Sequence, residues 1–316
     1  MGTIATLTMN PALDINAATD CIIPGEKLRC TAPLYHPGGG GINVARAVRL
    51  LGGDAIAVFP LGGPTGVKVE QLLKEEKIDY RPLAIAGSTR ESFTVDERQT
   101  GQQFRFVLAG PALTEIEQER CLDRISSLEP RPAYIVGSGS LPPGVPLDFY
   151  ARLAKRAKRL GARLIVDTSG EALRQAGRGG IYLLKPSLRE LQELVGREIN
   201  GERQQEIAAR ELIKEARSEI VVLSLGAAGA LLATADKFQR FGPIEVPVRS
   251  TVGAGDSMVA GIVLSLVRGR SIEESVCFGM AAGAAASMRP GTELCTRQDT
   301  ERLFAQIWRP FTLCAG

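Results

Sequence analysis

The stretch RSTVGAGDSMVAGIVLSL, residues 249–266, joins a strand-like segment to an apolar run with helical spacing. Gly253 and Gly255 leave the turn without side chains, and the first N–H groups of the predicted helix would carry partial positive charge. The turn therefore predicts an anion site. Asp256 lies in it, where a carboxylate would repel a bound phosphate but could accept a proton from the group that attacks the phosphate. Helix capping is the alternative role for Asp256.

Short apolar segments alternate with amphipathic segments along the rest of the chain. The apolar segments predict strands at residues 4–9, 55–60, 133–140, 163–169, 181–186 and 220–226. The amphipathic segments predict helices at residues 42–53, 67–77, 147–161, 188–196 and 206–216. This alternation predicts an α/β fold with a mostly parallel sheet and helices on both faces. Binding sites in such sheets lie at the carboxyl ends of the strands.

Two segments break the alternation. Residues 13–36 have little helical periodicity, and residues 91–108 alternate apolar and polar side chains around a turn at 99–101. Because the hairpin would be apolar on one face only, it needs something to cover it, either a pocket beneath it or a partner subunit. We predict a small β-sheet lid built from parts of 13–36 and 87–108. The apolar face would consist of Phe93, Val95, Phe104 and Phe106.

Composition sets the class of protein. The chain has 316 residues, 44% hydrophobic and 23% charged, with no repeat or linker, so we expect one domain over residues 1–316. The net charge of +3 is mixed along the chain and includes no basic block, so we expect no nucleic-acid partner. The apolar runs are shorter than the ~20 residues of a membrane span, and the N-terminus does not resemble a signal peptide.

Cysteine and histidine usage excludes several kinds of site. The six cysteines form no CxxC pair, which argues against a zinc site or a disulfide framework and favours the cytoplasm. The single histidine, His36, weighs against Ser-His-Asp hydrolysis and most zinc enzymes, and we expect it to have an ordinary surface or packing role. Neither GxGxxG at a first strand nor GxxxxGK followed by Ser or Thr is present, which weighs against a dinucleotide oxidoreductase and a P-loop protein.

A second glycine-rich stretch, HPGGGGINVARAV, occupies residues 36–48. Its four consecutive glycines, 38–41, would allow the backbone to approach a ligand closely. A helix starts near Ile42 with Asn43 in its first turn, and the N–H groups there could meet hydroxyls or an anion. A flexible loop is the alternative interpretation of the glycines.

Together, these stretches resemble the PfkB, or ribokinase-like, sugar kinases. PGGGGINVARAVRLLGG resembles the first family signature and TVGAGDSMVAG the second. TMNPALD, GEKLRCTAP, SGSLPPG, VDTSGEAL and LLKP occur in the family's order, so the resemblance covers residues 1–303. It implies a ribokinase-like fold with a small β lid.

The resemblance also implies roles for individual residues. The catalytic set would be Asp256 as base, Gly253, Ala254 and Gly255 as anion hole, and Lys27. Sugar and sugar phosphate would be held by Asp14, Lys27, Arg29, Gly39, Gly40, Asn43, Arg90 and Ser140. The nucleotide would meet Gly253 and Gly255 together with Lys185, Ser187, Glu190, Ser224, Gly226 and Gly229. Glu190 would act on Mg²⁺ through water, and Ser187 stands where the family usually has Asn. A monovalent cation such as K⁺ would bind at Ser250, Val252, Ala286 and Gly291.

The implied activity is transfer of the ATP γ-phosphoryl group to the 1-hydroxyl of fructose 6-phosphate, by a homodimer joined through its lids. Lys27, Arg29 and Arg90 lie on predicted non-helical segments, and three bases there favour a phosphorylated sugar over a neutral one. Tagatose 6-phosphate, which differs at one hydroxyl, is an alternative substrate. A non-catalytic sugar-phosphate sensor is the alternative class, and the presence of Asp256 weighs against it.

Overall fold

The computed structural model describes residues 2–176, 179–215 and 218–308. Ala216, at the end of one predicted helix, and Cys314 lie outside the described residues. The described cysteines are free thiols. The strands are β1 Thr3–Leu7, β2 Ala12–Thr19, β3 Leu34–Gly38, β4 Ala55–Leu61, β5 Asp79–Ala84, β6 Arg90–Glu97, β7 Gln103–Val107, β8 Pro132–Ser138, β9 Arg163–Asp167, β10 Ile181–Leu184, β11 Ser218–Ser224, β12 Ala230–Ala233 and β13 Phe238–Phe241. The helices are α1 Gly40–Leu50, α2 Gly63–Glu75, α3 Glu115–Ser126, α4 Phe149–Leu160, α5 Gly170–Ala176, α6 Leu188–Val195, α7 Glu202–Glu215, α8 Ala254–Val267, α9 Ile272–Ser287 and α10 Arg297–Ile307.

The main sheet has the strand order β13-β12-β11-β10-β9-β8-β1-β4-β5. Strands from β11 to β5 run parallel, while β12 and β13 add an antiparallel edge. The predicted α/β class with a mostly parallel sheet is therefore confirmed. Each of the six predicted strands corresponds to a strand of this sheet, because short apolar runs bounded by Gly or Pro are typical of buried parallel strands.

Helices bury both faces of the main sheet. Side chains alternate along each strand, so that Ile135 of β8 packs into one core and Val136 into the other. Helices α1, α2, α8, α9 and α10 contribute to the core that contains Val136, and α3 to α7 contribute to the opposite core. In the part of the chain that the structure describes, none of the helices combines the length and apolarity of a bilayer span.

Helix α8, which follows the glycine turn, is apolar on all sides and packs closely on α9. A Cβ atom on Gly261 would lie 2.8 Å from Gly279 Cα, and one on Gly279 would lie 2.5 Å from Ile262 Cγ1. Glycine at these two positions lets the helices approach each other closely. This packing fixes the position of α8, while its first residues, Ala254, Gly255 and Asp256, remain partly accessible to solvent.

The small sheet, defined here as β3-β2-β6-β7, stands apart from the main sheet and completes the predicted fold class. Strand β2 pairs antiparallel with β3 and parallel with β6, and β6 forms a hairpin with β7. Phe93 lies opposite Phe106 in that hairpin, and they are 36% and 54% exposed. The outer face of the small sheet is therefore apolar and uncovered in the single chain.

Candidate active site

Asp256 lies in the first turn of α8, at the edge of the main sheet where β8, β9 and β10 end. The N-cap of α8 is Gly253, with φ 76°, and no side chain caps this helix. The carboxylate of Asp256 instead accepts a hydrogen bond from Asn43 Nδ2 at 2.9 Å. The capping alternative for Asp256 is therefore wrong.

The turn before α8 keeps backbone N–H groups available. Ala254 N makes only a long bond of 3.4 Å to Thr251 O, and the geometry of a helix start leaves the N–H groups of Gly255 and Asp256 without intrahelical partners. These groups carry the partial positive charge of a helix N-terminus, which attracts an anion. The predicted role of Gly253, Ala254 and Gly255 as an anion hole stays a prediction.

A hydrogen-bonded chain orients Asn43 toward Asp256. Arg46 Nη1 donates to Asn43 Oδ1 at 3.2 Å, which leaves the Asn43 amino group to face the carboxylate. Arg46 is itself buried and held by both oxygens of Glu76, at 2.6 and 2.7 Å. The bidentate ion pair fixes the guanidinium and hence the amide beside Asp256.

A buried ion pair lies beside the same turn. Lys185 Nζ, at the end of β10, is 3.0 Å from Asp167 Oδ1, at the end of β9. A Cβ atom on Gly255 would lie 3.6 Å from Lys185 Nζ, so the ammonium group faces the turn. Asp167 was missed by the sequence analysis. Its signal was a carboxylate at the carboxyl end of a buried apolar strand, at the edge where sites of parallel sheets lie.

Burial, and after it the nearby Asp167 carboxylate, raise the pKa of Asp256 to about 7 against the opposing effects of Asn43 and Lys185. Burial lowers the pKa of Lys185, but Asp167 and the neighbouring carboxylates outweigh it, so the pKa stands above its ordinary value. The site therefore combines a carboxylate that can take up a proton near neutral pH with a fixed ammonium group.

The four-glycine run packs against protein atoms. A Cβ atom added to Gly38 would lie 2.3 Å from Asp14 Oδ2, and one added to Gly40 would lie 2.3 Å from Ser138 Oγ. A Cβ atom added to Gly41 would lie 2.6 Å from Thr8 Oγ1. The flexible-loop alternative is wrong, because the run forms the end of β3 and the start of α1. These glycines are required for close packing of the chain on itself. The predicted contacts of Gly39 and Gly40 with sugar are not tested by this geometry.

Asp14 and Arg90 lie side by side on the small sheet. Burial raises the pKa of Asp14, and the charges of Arg90, Arg105 and Arg46 oppose that rise. Arg90 donates to Asn10 O at 3.2 Å, to Leu108 O at 3.3 Å and to Ser92 Oγ at 2.9 Å.

Two further polar residues join Asp14 and Arg90. Arg105 of β7 was missed by the sequence analysis, and only the strand pairing brings it near Asp14. Ser140 accepts a hydrogen bond from Asn10 Nδ2 at 3.0 Å. Asn10 thus links Arg90 to Ser140, and the predicted sugar residues Asp14, Arg90 and Ser140 lie close together.

Lys27 and Arg29 are not brought into this group within the single chain. Both are exposed in the loop between β2 and β3. Thr19 Oγ1, at the far end of β2, donates to the Arg29 carbonyl at 3.2 Å, whereas Asp14 lies five residues earlier on the strand. At about 3.3 Å per strand residue, this end is on the order of 16 Å from Asp14.

Ser187 and Glu190 form a capping box at the start of α6. Ser187 Oγ accepts from Glu190 N at 3.2 Å, and Glu190 Oε2 accepts from Ser187 N at 2.7 Å and Ser187 Oγ at 2.9 Å. The S-x-x-E spacing at 187–190 is a sequence signature of this motif, and it explains serine at this position without a ligand. The loop with the other predicted nucleotide residues is adjacent, since Ser187 forms a bridge with Ser224. Gly226 and Gly229 follow, with φ 60° and 98°.

The segments predicted to hold a monovalent cation meet one another. Ser250 Oγ donates to Gly291 O at 2.7 Å, and Val252 N donates to Ser250 Oγ at 3.2 Å. The Ala286 carbonyl accepts from Arg289 N at 2.9 Å. Within residues 2–176, 179–215 and 218–308, no group of three His, Cys, Asp or Glu side chains could hold a metal ion.

Comparison with known proteins matches the chain to a family model and to named relatives. The model of the pfkB family carbohydrate kinases matches residues 8–299. The chain is 53% identical to ATP-dependent 6-phosphofructokinase isozyme 2 of Mycobacterium tuberculosis, over 97% of this chain and 90% of that protein. It is 44% identical to the Escherichia coli protein of the same name, over 97% and 99%.

Solved structures of a relative have the same fold. Phosphofructokinase-2 from Escherichia coli in complex with potassium superposes with a TM-score of 0.93 at 43% identity, covering 98% of this chain and 100% of that chain. The tetrameric inhibited form of the same enzyme superposes with a TM-score of 0.91 at 43% identity, with the same coverage of both chains.

Proposed function

This chain belongs to the pfkB family of carbohydrate kinases, and on that premise we propose that it is an ATP-dependent 6-phosphofructokinase. It transfers the γ-phosphoryl group of ATP to the 1-hydroxyl of fructose 6-phosphate and releases fructose 1,6-bisphosphate and ADP. The identity of 53% and 44% to two 6-phosphofructokinases, over nearly the whole chain, supports this substrate pair. The chain acts as one domain over residues 1–316, with the small sheet as its lid.

The observation that carries the proposal is the carboxylate of Asp256 beside the open turn of α8 and the Lys185 ammonium group. Asp256 accepts the proton of the attacking hydroxyl as the phosphorus–oxygen bond forms. The N–H groups of the turn and Lys185 hold the phosphoryl group during transfer, so the negative charge of the transition state is stabilised. Asn43 orients the Asp256 carboxylate through the 2.9 Å hydrogen bond.

The small sheet supplies the sugar-phosphate side. Asp14 binds sugar hydroxyls, while Arg90 and Arg105 attract the phosphate that the substrate already carries. Lys27 and Arg29, exposed on the loop after β2, belong to the same function only if the loop moves or a second subunit supplies them.

We propose that the reaction uses two metal ions, Mg²⁺ and K⁺. Mg²⁺ commonly uses one or two carboxylates and the substrate phosphates, and Glu190, whose two capping bonds both use Oε2, fits that pattern. When bound, the ion neutralises charge on the ATP phosphates. We place K⁺ at carbonyl oxygens near Ser250, Val252, Ala286 and Gly291, and the complex of the Escherichia coli relative with potassium supports K⁺ as a ligand.

The activity is tested by ADP release with fructose 6-phosphate, tagatose 6-phosphate, fructose 1-phosphate and ribose in parallel. We expect the highest kcat/KM for fructose 6-phosphate. A clear preference for tagatose 6-phosphate would transfer the proposal to the alternative kinase. Binding of sugar phosphate without ADP release would favour a sensor.

The proposed base gives a specific pH dependence. Because Asp256 must be ionised to accept a proton and its pKa is about 7, kcat/KM should rise about tenfold per pH unit below 7 and level off above it. The profile is measured from about pH 5.5 to about pH 8.5, with melting curves at each pH as the control for folding. A flat profile across this range would contradict the assignment.

We further propose a homodimer joined through the outer faces of the small sheets. Phe93, Phe106 and Tyr35, which the strand pairing puts on one side of the small sheet and which are 36%, 54% and 41% exposed, form an apolar face that a second copy would cover. The Escherichia coli relative has a tetrameric inhibited form, which supports association of chains with this fold. That tetramer contains more copies than the dimer proposed here.

Introducing a charge in this face should break the dimer. We expect wild type to sediment as a dimer and Phe106→Glu to shift toward monomer, because a buried unpaired carboxylate is costly. Ile116→Glu, at an apolar residue that is 73% exposed on α3, is the matched control and should leave the assembly unchanged. A fully active wild-type monomer at assay concentration would overturn the dimer.

A further inference from the structure

A polar cluster joins the inner face of the small sheet to the loop at residues 290–293. Asn16 Nδ2 donates to Thr292 Oγ1 at 2.6 Å and lies 3.1 Å from His36 Nδ1. Thr292 Oγ1 is also 3.0 Å from His36 Nδ1. Because an amide nitrogen can only donate, Nδ1 of His36 is the acceptor and its hydrogen is on Nε2. Asn16 and Thr292 are each 6% exposed, although 276 residues separate them in sequence.

One side of this cluster is continuous with the sugar residues. Asn16 follows Asp14 by two positions on β2, so both side chains lie on the same face of the small sheet. His36 on β3 is the direct cross-strand partner of Asp14. A shift of Asp14 on sugar binding would therefore displace both Asn16 and His36.

The other side is continuous with the phosphate-binding turn. Thr292 follows Gly291, whose carbonyl accepts the Ser250 hydroxyl at 2.7 Å. The same hydroxyl accepts from Val252 N at 3.2 Å, and Val252 directly precedes Gly253. Hydrogen bonds and covalent neighbours thus connect the sugar strand to the N-terminus of α8 without a gap.

Few other contacts beside the cluster can link the small sheet to the loop at residues 290–293, so the hydrogen bonds of the cluster form the link. A cavity of about 130 Å³ adjoins the cluster and interrupts packing between the small sheet and the loop. Asn16 Oδ1 is buried without a hydrogen-bond partner among the described residues, which costs free energy. An apolar contact would avoid that cost, so stability alone does not account for the cluster. The cavity is lined in part by Asn16, Leu34, His36, Asp96, Thr292 and Glu293.

We propose that Asn16, His36 and Thr292 are positioning residues that couple sugar-phosphate binding on the small sheet to nucleotide binding at the turn before α8. Sugar phosphate at Asp14 would fix β2 and, through Thr292 and Ser250, the turn that meets the ATP phosphates. The inference rests on the proposed function, since it takes sugar phosphate and ATP as the two ligands. It predicts that each ligand strengthens binding of the other by the same factor.

The test uses calorimetric titration of a non-hydrolysable ATP analogue with and without saturating fructose 6-phosphate. We expect the sugar to tighten analogue binding to wild type by about 5–150-fold. Thr292→Val keeps the shape and removes the hydroxyl, so this factor should fall by about 2–30-fold, while analogue binding without sugar stays near wild type. Thr292→Ser, which restores the hydroxyl, should restore the factor. Asn16→Ala, which breaks the cluster from the small sheet, should lose it as Thr292→Val does.

Thr31→Val is the matched control. Thr31 lines the same cavity, but its hydroxyl accepts from Ala18 N at 3.0 Å within the small-sheet region. The control should keep the wild-type factor. The coupling is overturned if wild type shows no tightening, if Thr292→Val and Asn16→Ala both keep it, or if Thr31→Val loses it equally. Turnover of fructose 6-phosphate by wild type is measured separately, and its absence would overturn the proposed function itself.

Discussion

Replacing Asp256 with Asn should lower kcat by about 10²–10⁴, because a positioned base contributes that much to a proton transfer. The loss corresponds to about 3–5 kcal/mol at ~1.4 kcal/mol per tenfold change. Asn keeps the shape of the side chain and can still accept the hydrogen bond from Asn43, so the defect isolates the lost basicity. Steady-state kinetics of ADP release with saturating ATP and sugar phosphate measures it.

Stability separates this effect from damage to the helix. The pKa of Asp256 is raised from 3.8 to about 7, so the folded state binds its proton more tightly than the unfolded state. The ionised carboxylate therefore costs stability increasingly as the pH rises from about 4 to about 7, and the full cost persists above that range. Asp256→Asn removes this cost. Its melting temperature at about pH 8 should equal or exceed that of wild type.

The control for Asp256→Asn is Asp299→Asn. Asp256 is the third residue of α8 and Asp299 the third residue of α10, so both substitutions remove the same charge from the same position of a helix. Asp299 accepts from Thr296 Oγ1 at 2.8 Å, and its loss should lower stability slightly without changing kcat. Near-normal kcat in Asp256→Asn would leave the proposed mechanism without its base.

Arg90→Ala should lower kcat/KM for fructose 6-phosphate by about 30–1,000-fold, equivalent to about 2–4 kcal/mol for a desolvated charge-assisted contact. The KM for ATP should change much less, because Arg90 lies on the small sheet with Asp14 and away from the nucleotide loop. Kinetics with each substrate varied in turn measures both effects.

Arg98→Ala is the control for Arg90→Ala. Arg98 directly follows the same strand, is exposed, and pairs with Asp20 at 3.2 Å, so its loss should leave both KM values near wild type. Arg90 also holds Asn10 O, Leu108 O and Ser92 Oγ, so melting curves must accompany the kinetics. Equal loss for ATP and sugar phosphate would assign Arg90 a structural role.

Local patterns in the sequence were sufficient for six of the nine strands of the main sheet, the hairpin and the helix that begins at the glycine turn, but not for β5, β12 and β13. Hydrophobic periodicity and the backbone freedom of glycine act over a few residues, so they can be recognised without knowledge of the fold. The capping box at 187–190 was equally local, yet Ser187 and Glu190 were interpreted only as ligand residues. The chemistry of the glycine turn singled out Asp256, and the family resemblance added roles for Asn43 and Arg90, but neither gave the orientation of these side chains.

The partners of these residues were decided by tertiary structure. Lys185 meets Asp167 because β10 pairs with β9, and the pKa of Asp256 rises because folding buries it beside that pair. The glycine run, predicted to make room for a ligand, is filled largely by the protein's own side chains.

The contact between Asn16 and Thr292, which are 276 residues apart in the sequence, was likewise decided by tertiary structure. Sequence alone determined the alternation of strands and helices, the glycine turns, and the residue types that could perform phosphoryl transfer. Tertiary structure alone decided which charges are buried together, which amide faces Asp256, and what occupies the space beside each glycine. The physical reason is that periodicity and turn chemistry depend on neighbours in the chain. Desolvation, ion pairing and close packing depend on neighbours in space.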